Sequence, residues 1–324
     1  MAGSFFLLAT GSFGEFILDW VFILAGFGLL LGGGDMLVGG AVSVARRMGL
    51  SPMMIGVTLV GFGTSTPELM TSLQAAFENA PGIAVGNVVG SNIANILLII
   101  GVAALIRPIA VQKHGFRRDG TALALGTLLG AGALSTGLLS FWVGVGLVVG
   151  LIAYLAATLL LPMPGETGPD LGDCPVHPPL RALLTFALGL AGVLLGARLL
   201  VDGAVGVARD LGVSETLIGL TIVAVGTSLP ELVTSVVAAR KGESDVALGN
   251  ILGSNVFNLL GILGITAMVT PLAVPAEILS SDLWIMLAVT LALLAVAITG
   301  WKISRREGAV FLLGYIAYLG WLMA

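Results

Sequence analysis

Two glutamates lie deep inside long apolar stretches of the chain, where a carboxylate is unusual. Glu68 stands in the segment GTSTPEL and Glu231 in the segment GTSLPEL, and we expect no other Asp or Glu to lie so deep. If these stretches cross a membrane, an ionised side chain near the bilayer centre costs about 2.5 to 3.5 kcal/mol on insertion scales, so such acids are functional by default. The pair therefore predicts a cation site.

A proline precedes each glutamate and predicts a break in the helix that carries it. Proline lacks an N–H group and disfavours helical geometry at the preceding residue, so we expect freed carbonyls just upstream, around Gly61 and Ala224. Proline also suits the first position of a helix. This places each glutamate in the first turn of the next half-helix, with Thr66 as an N-cap in the first case.

A second pair of motifs, GNVVGSNIAN from Gly86 and GNILGSNVFN from Gly249, adds hydroxyl and amide oxygens. The two glycines of each motif, four residues apart, permit close packing of helices. The serine and the last asparagine of each motif lie one helical turn apart and share a face. Hydrogen bonding between helices and ion binding are both open for the six polar residues, which are Ser91, Ser254, Asn95, Asn258, Asn87 and Asn250.

The four motifs together supply hard oxygen ligands, which suit Ca²⁺ and Na⁺. Two glutamates balance the charge of one Ca²⁺, and Na⁺ ions or protons could also balance them, so the pattern predicts mutually exclusive exchange. A zinc site is not expected, because Cys174, His114 and His177 all fall in connections between the apolar stretches.

The composition places these motifs in a polytopic membrane protein. Of 324 residues, 57% are hydrophobic types and only 10% are charged, against about 25% in soluble domains. This excludes a soluble enzyme, and a net charge of −4 gives no sign of nucleic-acid binding. Ten apolar runs are long enough to cross a bilayer as helices, which predicts an all-α fold. The runs are 16–45, 52–76, 83–106, 121–137, 139–162, 182–207, 215–239, 246–270, 283–300 and 308–323.

The two halves of the chain repeat each other with a shift of 163 residues. The shift aligns GVTLVGFGTSTPELMTS with GLTIVAVGTSLPELVTS, and GNVVGSNIANILLIIG with GNILGSNVFNLLGILG, without a gap. Ten spans then divide into two sets of five, and an odd number per set inserts the second set upside down. We predict two inverted five-helix repeats, 1–162 and 182–324, with broken helices 2 and 7 and a central cytoplasmic loop, 163–181.

Basic residues predict the orientation, because Lys and Arg near span ends collect on the cytoplasmic side. All but two of the 14 basic residues fall in one alternate set of connections, and the exceptions are Arg198 and Arg209. The odd-numbered connections are therefore predicted to be cytoplasmic and both termini extracytoplasmic, in a protein of the cell (inner) membrane.

The duplicated GTSxPEL motif, followed by GNxxGSNxxN, resembles the alpha repeats of the cation/Ca²⁺ exchanger superfamily, specifically its sodium/calcium exchanger branch. The resemblance covers residues 39–101 and 202–264 through motifs, and the whole chain through the predicted helices. It implies an antiporter, not an enzyme, that exports Ca²⁺ against Na⁺ by sliding of an outer unit formed by spans 1 and 6. Its partners would be the two ions and the lipid bilayer, with no cofactor, nucleic acid or obligatory protein partner.

The resemblance also implies roles for individual residues. Ca²⁺ would be bound by Glu68 and Glu231, with carbonyl or hydroxyl oxygens of Thr64 and Thr227. Na⁺ would share the two glutamates and use six further residues, which are Ser65, Ser228, Ser91, Ser254, Gly61 and Ala224. The remaining polar pair of the family site matches Asn95 and Asn258, with Asn87 and Asn250 as polar support.

Differences within the family bear on the coupling ion. Some members, including the potassium-dependent branch, have Asp where this chain has Asn258, so K⁺ co-transport is not expected. Proton-coupled relatives typically have Asn where Thr64 and Thr227 stand, which favours Na⁺ over H⁺. An H⁺/Ca²⁺ exchanger of the same fold is the nearest alternative, and a cation channel is another. An intramembrane hydrolase would need a nucleophile and base, yet no histidine lies in a predicted span.

Overall fold

The computed structural model describes the backbone of residues 2–160, 178–212 and 224–322 and the side chains of residues 16–160, 178–212 and 225–322. Nearly all of these residues are helical, which confirms the all-α fold. The helices in chain order are α1 (Ala2–Met48), α2 (Pro52–Thr64), α3 (Thr66–Phe77), α4 (Pro81–Ile106), α5 (Lys113–Ser135), α6 (Phe141–Leu160), α7 (Pro179–Asp210), α8 (Ala224–Thr227), α9 (Leu229–Lys241), α10 (Ser244–Val269), α11 (Ile278–Gly300) and α12 (Arg305–Leu322).

Six of the described helices are apolar and long enough to cross a bilayer by length and composition: α1 from Phe16, α4, α6, α7, α10 and α11. The other predicted spans coincide with α2 and α3, with α5, with α8 and α9, and with α12, and the count of ten crossings stays a prediction. The predicted central loop falls largely outside the described residues. Its end differs from the prediction, since α7 begins at Pro179, where proline is favourable in a first helical turn.

Two short β-ribbons each join one strand from either half of the chain. β1 (Ile109–Ala110) pairs antiparallel with β4 (Lys302–Ile303), and β2 (Leu138–Leu139) pairs antiparallel with β3 (Leu272–Ala273). Ile109 stands opposite Ile303, and Leu138 stands opposite Ala273. Because α5 runs from β1 to β2, the ribbons mark opposite ends of the molecule.

Basic residues meet at the end marked by β1 and β4, which we call the basic end. The Arg107 guanidinium donates to the carbonyl of Arg240 at 3.4 Å, and that of Arg305 donates to the carbonyl of Ile106 at 3.2 Å. Residues from both repeats therefore gather at one end, as the alternation of basic connections predicted. The assignment of this end to the cytoplasm stays a prediction.

Helices α1 and α7 are antiparallel and pack through glycines spaced seven residues apart. A Cβ at Gly33 would lie 2.7 Å from the amide nitrogen of Val193, and one at Gly196 would lie 2.8 Å from that of Leu30. Gly33 and Gly196 are equivalent under the 163-residue shift. The two helices form an outer unit that packs against α2, α8 and α9, whereas α4 and α10 bury most of their side chains in the core.

Helices α4 and α10 each contain one π-helical segment at equivalent places, Asn95–Ile100 and Phe257–Ile262. Such wide turns inside α-helices occur frequently at functional sites. Each segment begins within one residue of a predicted site residue, Asn95 or Asn258.

Candidate cation site

Both predicted helix breaks are present, and each lies at a serine. Ser65 separates α2 from α3 with ψ of 10°, and Ser228 separates α8 from α9 with ψ of 6°. A proline then occupies the first turn of the new helix, and Glu68 or Glu231 lies in that turn. None of these serines and glutamates is more than 2% exposed. The breaks therefore place both carboxylates inside the protein.

Each serine donates a hydrogen bond to the glutamate of the other repeat. The Ser65 hydroxyl lies 2.9 Å from Glu231 Oε1, and the Ser228 hydroxyl lies 3.4 Å from Glu68 Oε1. This exchange of partners brings the two breaks together. The two carboxylates share one buried site between the repeats.

Four buried oxygens of the duplicated motifs accept no hydrogen bond from any described residue. They are Oε2 of Glu68, Oε2 of Glu231, Oδ1 of Asn95 and Oδ1 of Asn258. Buried polar groups are nearly always paired, and an uncompensated buried charge is strongly destabilising. Across the described ranges no cluster of three or more His, Cys, Asp or Glu occurs. A cation here would have two carboxylates and otherwise neutral oxygens, a set that suits Ca²⁺ or Na⁺.

Asn87 and Asn250 contact the backbone beside the carboxylates. The Asn87 amide donates to the carbonyl of Glu68 and to the Ser72 hydroxyl, both at 3.0 Å. Asn250 makes the equivalent contacts in the second repeat at 3.3 and 2.9 Å. These amides fix the first turn of each half-helix, and with it the direction of the carboxylate.

The contact between α2 and α10 carries three more predicted residues. The Ser254 hydroxyl donates to the carbonyl of Gly61 at 3.1 Å. The Thr64 hydroxyl lies 3.3 Å from the same carbonyl and 3.1 Å from Asn250 Oδ1. Hydroxyl, amide and carbonyl oxygens thus converge beside the first break.

Glycines of the second motif permit this contact. A Cβ at Gly249 would lie 2.7 Å from the carbonyl oxygen of Met53, and one at Gly253 would collide with the backbone of Val57. Both are packing glycines, as predicted. For Gly86, a Cβ would lie 3.9 Å from the Ile278 side chain, and close packing at Gly86 and Gly90 stays a prediction.

The surroundings of Gly61 differ from the expectation. Its carbonyl is not freed, because it accepts the amide of Ser65 at 3.1 Å. Pro67 lacks the N–H that would bond four residues back, so the proline removes a donor from Gly63. Thr66 is not the N-cap of α3, since its exposed hydroxyl donates to the carbonyl of Phe62 at 3.4 Å.

Three more predicted site residues lie on α4 and α8. Ser91 is buried on α4 with 6% exposure. Ala224 is the first residue of α8, and its side chain lies outside the described residues. Thr227 is the last residue of α8, next to the second break.

A cavity of about 470 Å³ borders the site, between α3, α7 and α8. Its lining includes Pro67 and Met70 of α3, Ala197 and Arg198 of α7, and Thr227 of α8. Pro67 and Thr227 adjoin the two helix breaks, so the cavity leads to the region of the carboxylates. It lies along the later half of α7, towards the end opposite the basic end.

Asp119, near the start of α5, is a buried acid that the sequence analysis missed. Asp119 of α5 is fully buried, 2.8 Å from the Arg118 guanidinium and 3.1 Å from the Tyr154 hydroxyl. Asp282 and Tyr318 make a similar contact at 2.9 Å in the second half. The predicted span began at 121, which left Asp119 in a connection. Its alignment with Asp282 at the 163-residue shift was the available signal.

Comparisons with known proteins agree with this architecture. The family model described as "Sodium/calcium exchanger protein" matches residues 18–160 and 181–324, once in each half. The chain is 42% identical to the putative antiporter CaxA of Alkalimonas amylolytica, over 92% of this chain and 96% of that protein. It is 33% identical to the sodium/calcium exchanger MaX1 of Methanosarcina acetivorans, over 93% and 97%. The solved structure of the sodium-calcium exchanger NCX_Mj superimposes with a TM-score of 0.83 at 34% identity, covering 94% of this chain and 98% of that one.

Proposed function

Because the chain belongs to the sodium/calcium exchanger family, we propose that it exchanges Na⁺ for Ca²⁺ across the cell (inner) membrane and exports Ca²⁺. The observation that carries this proposal is the pair of buried glutamates, each with one carboxylate oxygen hydrogen-bonded and the other without a described partner. Their combined charge of about −2 when both are ionised matches one Ca²⁺.

Ca²⁺ would bind between Glu68 and Glu231 through the oxygens that lack partners. Thr64 and Thr227, the residues that end α2 and α8, would add neutral oxygens. Ca²⁺ takes six to eight oxygen ligands in flexible geometry, so carboxylates supplemented by hydroxyls and carbonyls suit it.

Na⁺ would use oxygens that overlap with the Ca²⁺ ligands. Beside the shared glutamates, the proposed Na⁺ ligands are the hydroxyls of Ser65, Ser228, Ser91 and Ser254 and the carbonyls of Gly61 and Ala224. Ser65 and Ser228 already contact the carboxylates, and Ser254 already contacts the Gly61 carbonyl. An ion that neutralises the glutamates removes the charge that would attract the other ion. Competition for the carboxylates would therefore enforce exchange.

Access would alternate by sliding of the outer unit, α1 and α7, past the core that carries the site. The glycine contacts between α1 and α7 support movement as one body, because their backbones touch directly along the seam. Alternating access in inverted-repeat transporters is largely rigid-body motion of one unit against another around a fixed site.

The test is ⁴⁵Ca²⁺ uptake into proteoliposomes preloaded with Na⁺, with pH equal on both sides and K⁺ absent. Wild type is compared with Glu68→Gln, Glu231→Gln and the surface control Glu277→Gln. We expect uptake driven by the outward Na⁺ gradient, lost in the first two variants and retained in the control. Equal uptake without Na⁺ would contradict the proposal, and an imposed pH gradient would then separate H⁺/Ca²⁺ exchange from a channel. A strict requirement for K⁺ would contradict the expectation drawn from Asn258.

A further inference from the structure

An ion pair joins the outer unit to the core at the basic end. Lys241 Nζ, at the end of α9, lies 2.6 Å from Asp35 Oδ1 of α1 and 3.0 Å from the Asp35 carbonyl. One turn further along α1, Gly39 leaves room for the ammonium, 3.9 Å from the position of a Cβ. The same two helices pack tightly beside this pair, where a Cβ at Gly34 would lie 3.0 Å from Val233. Around Asp35 and Lys241, α1 therefore lies closed against α9.

The repeat carries the same pair with its charges exchanged. The 163-residue shift relates Asp35 to Arg198 and Lys241 to Glu78. An acid on α1 and a base on α9 at one end thus correspond to a base on α7 and an acid directly after α3 at the other. In the opposite state of an inverted repeat, Arg198 and Glu78 would stand in the relation to each other that Asp35 and Lys241 have here.

The second pair is apart in this structure. The Arg198 side chain is 81% exposed at the cavity and lies 3.7 Å from Asp202 on its own helix. Glu78, directly after α3, accepts a hydrogen bond from Gln74 of that helix at 2.9 Å. The residues equivalent to Gly34 and Val233 are Ala197 and Met70, and they line the cavity. Helices α7 and α3 are thus separated by the cavity where α1 and α9 touch.

We infer that Asp35–Lys241 and Glu78–Arg198 are alternating gate pairs. The first pair closes the basic end in the state described here. The second pair forms when the outer unit slides and closes the opposite end, while the first one separates. This rests on the proposed function only in that transport requires both ends to open in turn. The four residues are positioning residues outside the ion site.

The outer unit contributes the acid, Asp35, to the first pair and the base, Arg198, to the second. When α1 and α7 move as one body, Asp35 leaves Lys241 as Arg198 reaches Glu78, so one ion pair replaces another. Exposed ion pairs shift an equilibrium by about two- to five-fold, enough to bias a two-state exchange without locking it.

The experiment measures which end is open, by thiol labelling in nanodiscs, where a charged methanethiosulfonate reaches both ends. The natural cysteine is removed as Cys174→Ser, and Val233→Cys is introduced at the closed contact as the reporter. Met70→Cys, at the 61%-exposed equivalent position in the cavity, shows that the reagent reaches an open end. Val233 is partly buried here against α1, so the reporter should react faster in molecules whose basic end is open.

Neutralising the first pair and neutralising the second should change the labelling rate of this reporter in opposite directions. Asp35→Asn or Lys241→Gln should raise the labelling rate of Val233→Cys about two- to five-fold, because the closed state loses its ion pair. Glu78→Gln or Arg198→Gln should lower it by a similar factor. Arg240→Gln, next to Lys241 and equally charged, should leave the rate unchanged. The exchanged pair Asp35→Lys with Lys241→Asp should restore the original rate.

Equal rates in all variants, or changes of the same sign for both pairs, would overturn the inference, as would failure of the exchanged pair to restore the rate. General unfolding would raise the labelling of Val233→Cys in every variant and would not give opposite signs. Opposite shifts together with Na⁺-independent uptake would retain the gate pairs and refute the proposed Na⁺ coupling. Unchanged labelling with normal Na⁺-driven uptake would refute the gate pairs and retain the proposed Na⁺ coupling.

Discussion

Replacing Gly253 with alanine tests whether the close approach of α2 and α10 holds the cation site together. A Cβ at this position would lie 2.6 Å from the carbonyl carbon of Val57, whereas ordinary contact begins at 3.4 Å. The obstruction is helix backbone, which cannot rotate away as a side chain can. The two helices would have to separate by at least about 0.8 Å, the difference between these distances, because the carbonyl oxygen of Val57 lies nearer still.

This separation would break two hydrogen bonds at the site. The Ser254–Gly61 and Thr64–Asn250 contacts, both 3.1 Å, would lengthen to at least about 3.9 Å, beyond hydrogen-bonding range. Overpacking costs about 1 to 3 kcal/mol, and each lost hydrogen bond costs about 1 kcal/mol. Because a misplacement of about 1 Å can cost 10²-fold in rate, we expect Na⁺-driven Ca²⁺ uptake to fall by about two orders of magnitude.

The assay combines thermal unfolding in detergent with ⁴⁵Ca²⁺ uptake in proteoliposomes. Gly132→Ala on α5 is the matched control, since this glycine is exposed and its Cβ would meet no atom within 4 Å. The control should keep the wild-type melting temperature and uptake. If Gly253→Ala did the same, the argument that glycine sets the spacing of these helices would be refuted.

Three further substitutions test other contacts. Gly33→Ala puts a Cβ 2.7 Å from the α7 backbone and should lower both the melting temperature and uptake, whereas Gly28→Ala, exposed on the same helix, should change neither. Tyr154→Phe removes the hydroxyl 3.1 Å from buried Asp119. It should lower the free energy of unfolding, measured by denaturation in detergent, by about 1 to 3 kcal/mol. Lost uptake at full stability would contradict this expectation. Ser65→Ala removes the hydroxyl that donates to Glu231 at 2.9 Å. It should raise the Na⁺ concentration for half-maximal exchange at least about ten-fold. An unchanged Na⁺ titration would exclude this hydroxyl from the Na⁺ site.

Local rules made much of the fold and site predictable. The prolines of the GTSxPEL motifs set both helix breaks and put Glu68 and Glu231 in the first turns that follow. The duplication predicted that the two carboxylates share one site, because inverted repeats meet at a common interface. Neither step required knowledge of distant contacts, only residue types and their spacing.

Features that depend on packing between helices could not be predicted in the same way. The Gly61 carbonyl has partners because Ser254 comes from α10 and Ser65 remains within bonding distance in α2. Asp119 is buried because α5 begins several residues before its apolar run, with Arg118 and Tyr154 to balance the carboxylate. A hydropathy pattern does not report such compensation, so the predicted span begins at 121, after Asp119.

The asymmetry between the ends follows from residues at which the repeats differ. If the halves were identical in sequence, closure at either end would involve identical contacts and would have equal energy. The chain breaks this equality at the contacts themselves, where Gly34 meets Val233 at the closed end and Ala197 stands opposite Met70 in the cavity. Glycine lets α1 approach α9 more closely than alanine would let α7 approach α3, which favours closure at the basic end. The preference for one of the two proposed states would therefore be encoded in substitutions between the repeats, while the proposed ion site keeps the residues that the repeats have in common.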